Sequence, residues 1–398
     1  MTTRTLKGKK EAGSKGGLKM GPKHPNIIVI MVDEWRYPTV YDEANLGDWF
    51  ADNLPTQKAM KAASTEMVNH YIGSTACTPS RATIFTGQYP TLHGVGYTAG
   101  AAKTNHEDDM YFLDPNTVPT MGEYFREGGY RTYYRGKWHV SHSDIEVPVS
   151  RDILRTNDEE GRIIPRNRNL YLSAQRLDDY GFRDNIGPDP HGAAQSNAGI
   201  LRDPLTADQA INSLKALEAD RKDDTPFLLV ASFLNPHDIV LYGVLWLSFG
   251  YDYQEAKEAV PVVPAPPTRE EDLSSNNKPD CQSDYVDKYG QIFAPQPQLP
   301  TYYRFYFWLM MLADRQAGRV WDAIKKSKRF NRQNTVILFT SDHGDMLGAH
   351  GGMHQKWHQA YEETTHVPFL ISGPGIGRGV KEQILSSHVD ILPVRFYV

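Results

Sequence analysis

Short, strongly apolar runs alternate along the chain with stretches of helical periodicity. The runs cover 26–32, 66–72, 130–134, 227–233, 335–340 and 367–371. A run that is apolar at successive positions suits a strand covered on both faces, so these read as buried parallel strands. Helical patterns lie between them. The segment 54–63 has Pro55 in its first turn, and 120–127 closes on Gly128-Gly129, a C-terminal stop signal. Residues 206–219 open Thr206-Ala207-Asp208-Gln209 in the manner of a capping box, and 302–325 is the longest candidate. Strands alternating with helices predict an α/β fold: a doubly wound, mostly parallel central sheet with helices on both faces. Two polar, loop-like stretches break the rhythm, 141–200 and 241–300, the second carrying a proline-rich patch at 260–267. Loops of this length in one domain are functional or disordered; both are expected to be insertions that shape a substrate site.

Composition narrows the class. The 398 residues carry a formal net charge of -5, too mild and of the wrong sign for a nucleic-acid binder. Residues 1–24 are basic and lack an apolar run. They read as a disordered tail, neither signal peptide nor anchor, ahead of a catalytic domain over 25–398. The apolar stretch 302–312 contains Arg304 and is too short to span a bilayer. The expectation is a cytoplasmic protein without a membrane partner. Two cysteines, Cys77 and Cys281, exclude a disulfide scaffold, a single bridge being the bland alternative.

The chemistry collects where strands end. The first run ends in Asp33-Glu34, and 335–340 leads to Ser341-Asp342-His343-Gly344-Asp345. The run 227–233 leads to Asn235-Pro236-His237, and 130–134 to Gly136-Lys137-Trp138-His139. Ligands of open α/β sheets bind outside the carboxyl ends of the strands, so these groups point to one shared site. Each lone aspartate also reads as a cap or turn residue. Acids converging from separate strands, however, repel unless a cation lies between them. Asp33, Asp342, His343 and, less directly, Glu34 form an oxygen-dominated set suited to Ca²⁺ or Mg²⁺, with Mn²⁺ a further option, before zinc.

Cys77 precedes a helix with Pro79 in its first turn and Arg81 one turn on. A helix start and a guanidinium both favour an anion there; the bland reading is a small buried cysteine. Lys137, His139, His237 and Lys356 supply positive charge and proton transfer, as expected for a small anionic ester substrate. His354 and His358, four apart, would suit zinc only on a helix, which Gly351-Gly352 disfavours.

Cys77-Thr78-Pro79-Ser80-Arg81 with Thr86-Gly87 downstream resembles the signature of the formylglycine-dependent sulfatases, within the alkaline-phosphatase-like superfamily. The other strand-end motifs follow in the family's order, and the resemblance covers nearly the whole chain. It implies hydrolysis of a sulfate ester to alcohol and sulfate. By resemblance, a formylglycine-generating or maturase enzyme oxidises Cys77 to 3-oxoalanine (formylglycine), whose hydrate attacks sulfur, and Arg81 holds that hydrate. Asp33, Asp342, His343 and modified Cys77 bind Ca²⁺, Glu34 standing where many members have a second aspartate. Lys137 and His237 bind sulfate, His139 assists collapse of the hemiester, and Lys356 binds sulfate or protonates the leaving oxygen. The family normally continues past Ser387-His388-Val389-Asp390 into a C-terminal antiparallel subdomain, which is expected to be missing or truncated here. Alternatives are a phosphonate or phosphate mono- or diester hydrolase on the same scaffold, and an inactive anion- or metal-binding relative. The sequence leaves room for a homo-oligomer.

Overall fold

The computed structural model describes residues 24–100, 103–190, 194–242, 251, 253–275, 277–292 and 299–394. Seven strands, β1 (Asn26–Asp33), β2 (Thr65–Tyr71), β3 (Arg131–Gly136), β4 (Phe227–Pro236), β5 (Thr335–Ser341), β6 (Phe369–Ser372) and β7 (Val380–Ser387), form one sheet in the order β3-β4-β1-β5-β6-β2-β7. β1 runs parallel to β4 and β5, β3 to β4, and β2 to β7.

The apolar runs exist because this sheet buries both faces. Ile28, Ile30 and Val32 of β1 pack with Ala207 and Leu214 of the helix Gly199–Ala219 and Phe305 and Leu309 of the helix Leu299–Lys326. The alternate residues Ile27, Val29 and Met31 face Ala82 and Phe85 of the helix Cys77–Thr86, with Trp138 and Phe182. Each fully buried side chain of this kind contributes roughly 1.5–3 kcal/mol. A strand that must satisfy two cores has no polar face to show.

The 367–371 run forms β6, but β6 is antiparallel to both β5 and β2. The connection from β5 holds only short helical turns, Ala349–Gly352 and Glu362–Thr365. A parallel return needs a crossover of a dozen or more residues, usually helical. β7 escaped notice because it is a largely exposed edge strand rich in Lys, Glu and Gln, with no apolar run to mark it. Edge strands commonly carry charge, which guards against further pairing.

Thr206 does not open its helix. That helix begins at Gly199, and Asp238 supplies the missing cap from another element, accepting from Gly199 N at 2.6 Å. A tertiary carboxylate has replaced the local hydroxyl at the helix start. The stretch 241–300 is also less loop-like than expected, since its described part holds helices Tyr253–Ala259 and Asp280–Ile292. Pro165–Ala174 is a helix within 141–200. The expected tail lies outside the described residues, apart from His24. No described helix is long and apolar enough to cross a membrane.

Gly136 ends β3 with φ +92, and a Cβ there would stand 1.9 Å from Ser232 O of β4. Both facts demand glycine. Gly136→Ala is therefore expected to cost more than about 3 kcal/mol, read as a lowered midpoint of chemical unfolding. An unchanged midpoint would show that the β3 end relaxes freely.

Candidate active site

The strand ends converge. Asp33 closes β1; Asp342 and His343 follow β5; Lys137 and His139 follow β3; His237 follows β4. Cys77 is the first residue of its helix, entered through Ala76 at φ 70, a left-handed conformation that costs a non-glycine residue energy. The kink turns Cys77 inward, and it is buried.

Arg81, one turn along the same helix, organises the acids. Its Nη2 donates to Asp33 Oδ2 at 2.8 Å and its Nε to Asp342 Oδ2 at 2.7 Å. Nη1 donates to Lys137 O at 2.7 Å and Ser232 Oγ at 3.1 Å. Lys137 Nζ adds a second cation on Asp33 Oδ2 at 2.6 Å. Burial by itself would raise the Asp33 carboxyl, but Lys137 and Arg81 prevail and hold it well below its usual value.

With both Oδ2 atoms engaged, each Oδ1 faces His343. His343 Nε2 lies 3.5 Å from Asp33 Oδ1, 3.7 Å from Asp342 Oδ1 and 3.0 Å from Cys77 Sγ. Asp33, Cys77, Asp342 and His343 thus offer four ligand atoms within 4.8 Å of one another. Two carboxylate oxygens and one imidazole suit a divalent ion. The sulfur is the discordant donor: a thiolate suits zinc, and an oxygen in its place would suit Ca²⁺ or Mg²⁺. As an unmodified thiol, Cys77 is pushed up to about 11 by burial and by Asp33, so it is protonated near neutrality. Asp342→Ala is expected to abolish divalent-ion binding and the rise in melting temperature that bound metal confers. Full occupancy in that variant, measured by calorimetric titration, would contradict this assignment.

Glu34 does not join Asp342 and His343. Its Oε2 accepts from Lys356 Nζ at 2.6 Å, and it groups instead with Asp33 and His237. Lys356, held also by Gln355 Oε1 at 3.2 Å, is thereby brought to this centre from its distant loop; Glu34 keeps it charged. Burial and the cations Lys137 and Lys356 lower His237 well below its ordinary value, leaving a neutral ring whose Nδ1 has no partner. His139, at φ 51, directs Nε2 to Ala99 O at 3.1 Å. Asp33 and Asp342 thus meet Arg81 and Lys137, while Glu34 meets Lys356, with burial and the neighbouring Asp345 pushing the Glu34 carboxyl well above its ordinary value.

His354 and His358 do not form a metal site. Both lie outside any helix; His354 stacks on Tyr289 with ring centres 5.2 Å apart, and His358 stands beside Tyr97. Cys77 and Cys281 are both free.

Two acids were missed. Asp189 accepts from Trp138 N at 2.6 Å and His139 N at 2.8 Å, clamping the loop after β3. Asp203 does the same for Leu234 N at 2.6 Å and Asn235 N at 3.0 Å ahead of His237. Each side chain accepts from two successive buried N–H groups, which would be costly to leave without a partner. They lie 50 and 31 residues from these partners, and no local pattern announces such a pairing.

The sulfatase family model matches residues 25–394. An uncharacterized sulfatase, YidJ of Escherichia coli, is 27% identical over 389 residues, spanning 93% of this chain and 67% of that protein. The choline-sulfatase of Rhizobium meliloti is 27% identical, over 93% of this chain and 66% of its own. The chain thus spans about two thirds of the length of these curated relatives. Among solved structures, a 2-O GAG sulfatase superposes with TM-score 0.62 at 21% identity, over 93% of this chain and 69% of that one. A phosphonate monoester hydrolase of Agrobacterium radiobacter gives 0.58 at 20%, over 93% and 72%. At these identities the superpositions establish a shared fold.

Proposed function

The chain belongs to the sulfatase family, and from that premise we propose that it hydrolyses a sulfate ester at Cys77 after oxidation of that residue to formylglycine. The observation that carries the proposal is the placing of Cys77 Sγ among Asp33, Asp342 and His343, with Lys137 Nζ 3.9 Å away. A protonated thiol is a poor nucleophile there and a poor partner for a hard cation. An oxygen at the same position cures both defects.

Oxidised, Cys77 supplies a hydrated aldehyde, one hydroxyl to attack sulfur and the other to expel sulfate. The chain's own residues do the remainder. Arg81 fixes the orientation of Asp33 and Asp342. Lys137 and the neutral His237 face the oxygens of the transferred group. Lys356, charged beside Glu34, holds a proton for the departing alkoxide. His139, its backbone clamped by Asp189, draws the proton whose loss releases sulfate. Asp33, Asp342 and His343 would hold Ca²⁺, which supplies charge stabilisation and lowers the pKa of a bound hydroxyl.

The test is turnover of a paired aryl sulfate, phosphate monoester and phosphonate monoester by protein co-expressed with a formylglycine-generating enzyme. The expected result is a kcat/KM for the sulfate that exceeds the other two. Preference for the phosphonate would establish the second reading on the same scaffold, and no turnover of any ester would defeat both.

A further inference from the structure

Beside this centre lies a cavity of about 250 Å³ whose walls are unlike it. Tyr97, Tyr285, Tyr289 and Trp357 form the apolar lining, and Lys103 and Lys288 stand at the edge. Its wall is linked to the centre at two points. Thr98, also in its wall, accepts from Thr78 N at 3.1 Å, directly after Cys77. Trp357 follows Lys356, whose Nζ lies 5.8 Å from the Trp357 ring centre. Tyr285 is anchored by donating from its hydroxyl to His354 O at 2.5 Å, and Tyr289 stacks on His354. The rings are thereby fixed to the segment that carries Lys356.

Resting on the sulfatase reading, we propose that this cavity receives the alcohol part of the substrate, a ring bearing a second anionic group. Flat aromatic walls gain most from another flat face, aryl or pyranose. Such a lining would also suit a quaternary ammonium, but the two lysines argue against a cation. Lys103 sits over Tyr97 at 4.8 Å, so a cation already occupies that ring, and its charge is met by Asp109 at 2.5 Å and Glu107 at 3.7 Å. Lys288 is exposed on the helix Asp280–Ile292 and faces the same space, which makes it the group to meet a carboxylate or second sulfate. Choline, the alcohol in the name of one relative, would find the Tyr97 face taken by Lys103 and a further lysine, Lys288, in the same wall.

Binding, measured apart from turnover, decides this. Cys77→Ala protein is titrated by calorimetry with ethyl sulfate, phenyl sulfate, 4-carboxyphenyl sulfate and choline sulfate; the common sulfate cancels, so the ratios read the alcohol part. Phenyl sulfate is expected to bind about tenfold more tightly than ethyl sulfate, and a further Trp357→Ala or Tyr97→Ala substitution to erase most of that ratio. The carboxyl group is expected to add about threefold, lost in Lys288→Gln. Choline sulfate binding as tightly as 4-carboxyphenyl sulfate overturns the assignment, as do ratios unmoved by both ring substitutions. Turnover by the matured wild-type protein is scored separately: its absence defeats the sulfatase reading, while these binding ratios alone decide the cavity's ligand.

Discussion

Cys77→Ala is expected to lower kcat/KM for any sulfate ester by a factor on the order of 10⁴ or more, with the fold retained. The magnitude follows from removing the atom that forms the covalent bond; losing a nucleophile costs most of what the whole catalytic group achieves. The fold survives because a small, buried side chain is exchanged for a smaller one. Cys77 is 1% exposed, and its Sγ makes polar contacts of 3.0 Å to His343, 3.7 Å to Asp33 and 3.9 Å to Lys137, groups that the surrounding ion pairs hold in place without it. Near-UV circular dichroism and the thermal midpoint should match the parent while activity disappears. Substantial activity in Cys77→Ala would place the nucleophile elsewhere. Cys77→Ser separates two accounts: a hydroxyl that acts directly would keep measurable turnover, whereas a group that requires oxidation would keep little.

Arg81→Leu is the second large effect, and it falls on stability as well as activity. Arg81 is fully buried and bridges Asp33 and Asp342. Removing one partner of a buried ionic cluster leaves carboxylates unpaired and costs about 3–5 kcal/mol. Added Ca²⁺ is expected to restore part of the loss, since Asp33 and Asp342 would hold it, and unfolding followed with and without the ion would show it. The pH dependence has a definite sign. A carboxyl held below its ordinary value contributes stability above that value and loses it as the pH falls through the folded-state pKa. Asp33 is held down, against burial, by Lys137 and Arg81. The wild-type protein therefore keeps this contribution until the pH drops below about 4. Without Arg81 the folded-state value rises and the acid unfolding edge moves to higher pH. An edge that stays in place would show that Lys137 alone carries the effect.

Much of this was legible in the sequence because it depends on local pattern. β1, β4 and β5 are mainly apolar, since both faces of the central strands are covered, and polar residues gather toward their ends. The features that escaped are products of tertiary contact. β7 is an exposed edge whose composition resembles a loop. The start of the helix Gly199–Ala219 is set by Asp238, and Thr206 lies seven residues inside it. Asp189 and Asp203 act on backbone amides of distant loops, where side-chain identity at the receiving end carries no signal. In the sequence, adjacency to Asp33 groups Glu34 with Asp342 and His343 as a candidate ligand. At φ 68 it pairs with Lys356 while staying grouped with Asp33 and His237, and no sequence pattern reports that arrangement.

The most direct test is a mass measurement of the tryptic peptide ending at Arg81, taken on preparations that differ in maturation and paired with their specific activities toward an aryl sulfate. The account predicts a peptide in which the thiol's sulfur and two hydrogens are replaced by one oxygen, and an activity that rises in proportion to that fraction. Protein whose Cys77 is wholly an unmodified thiol, yet which hydrolyses sulfate esters at the same rate, would contradict it.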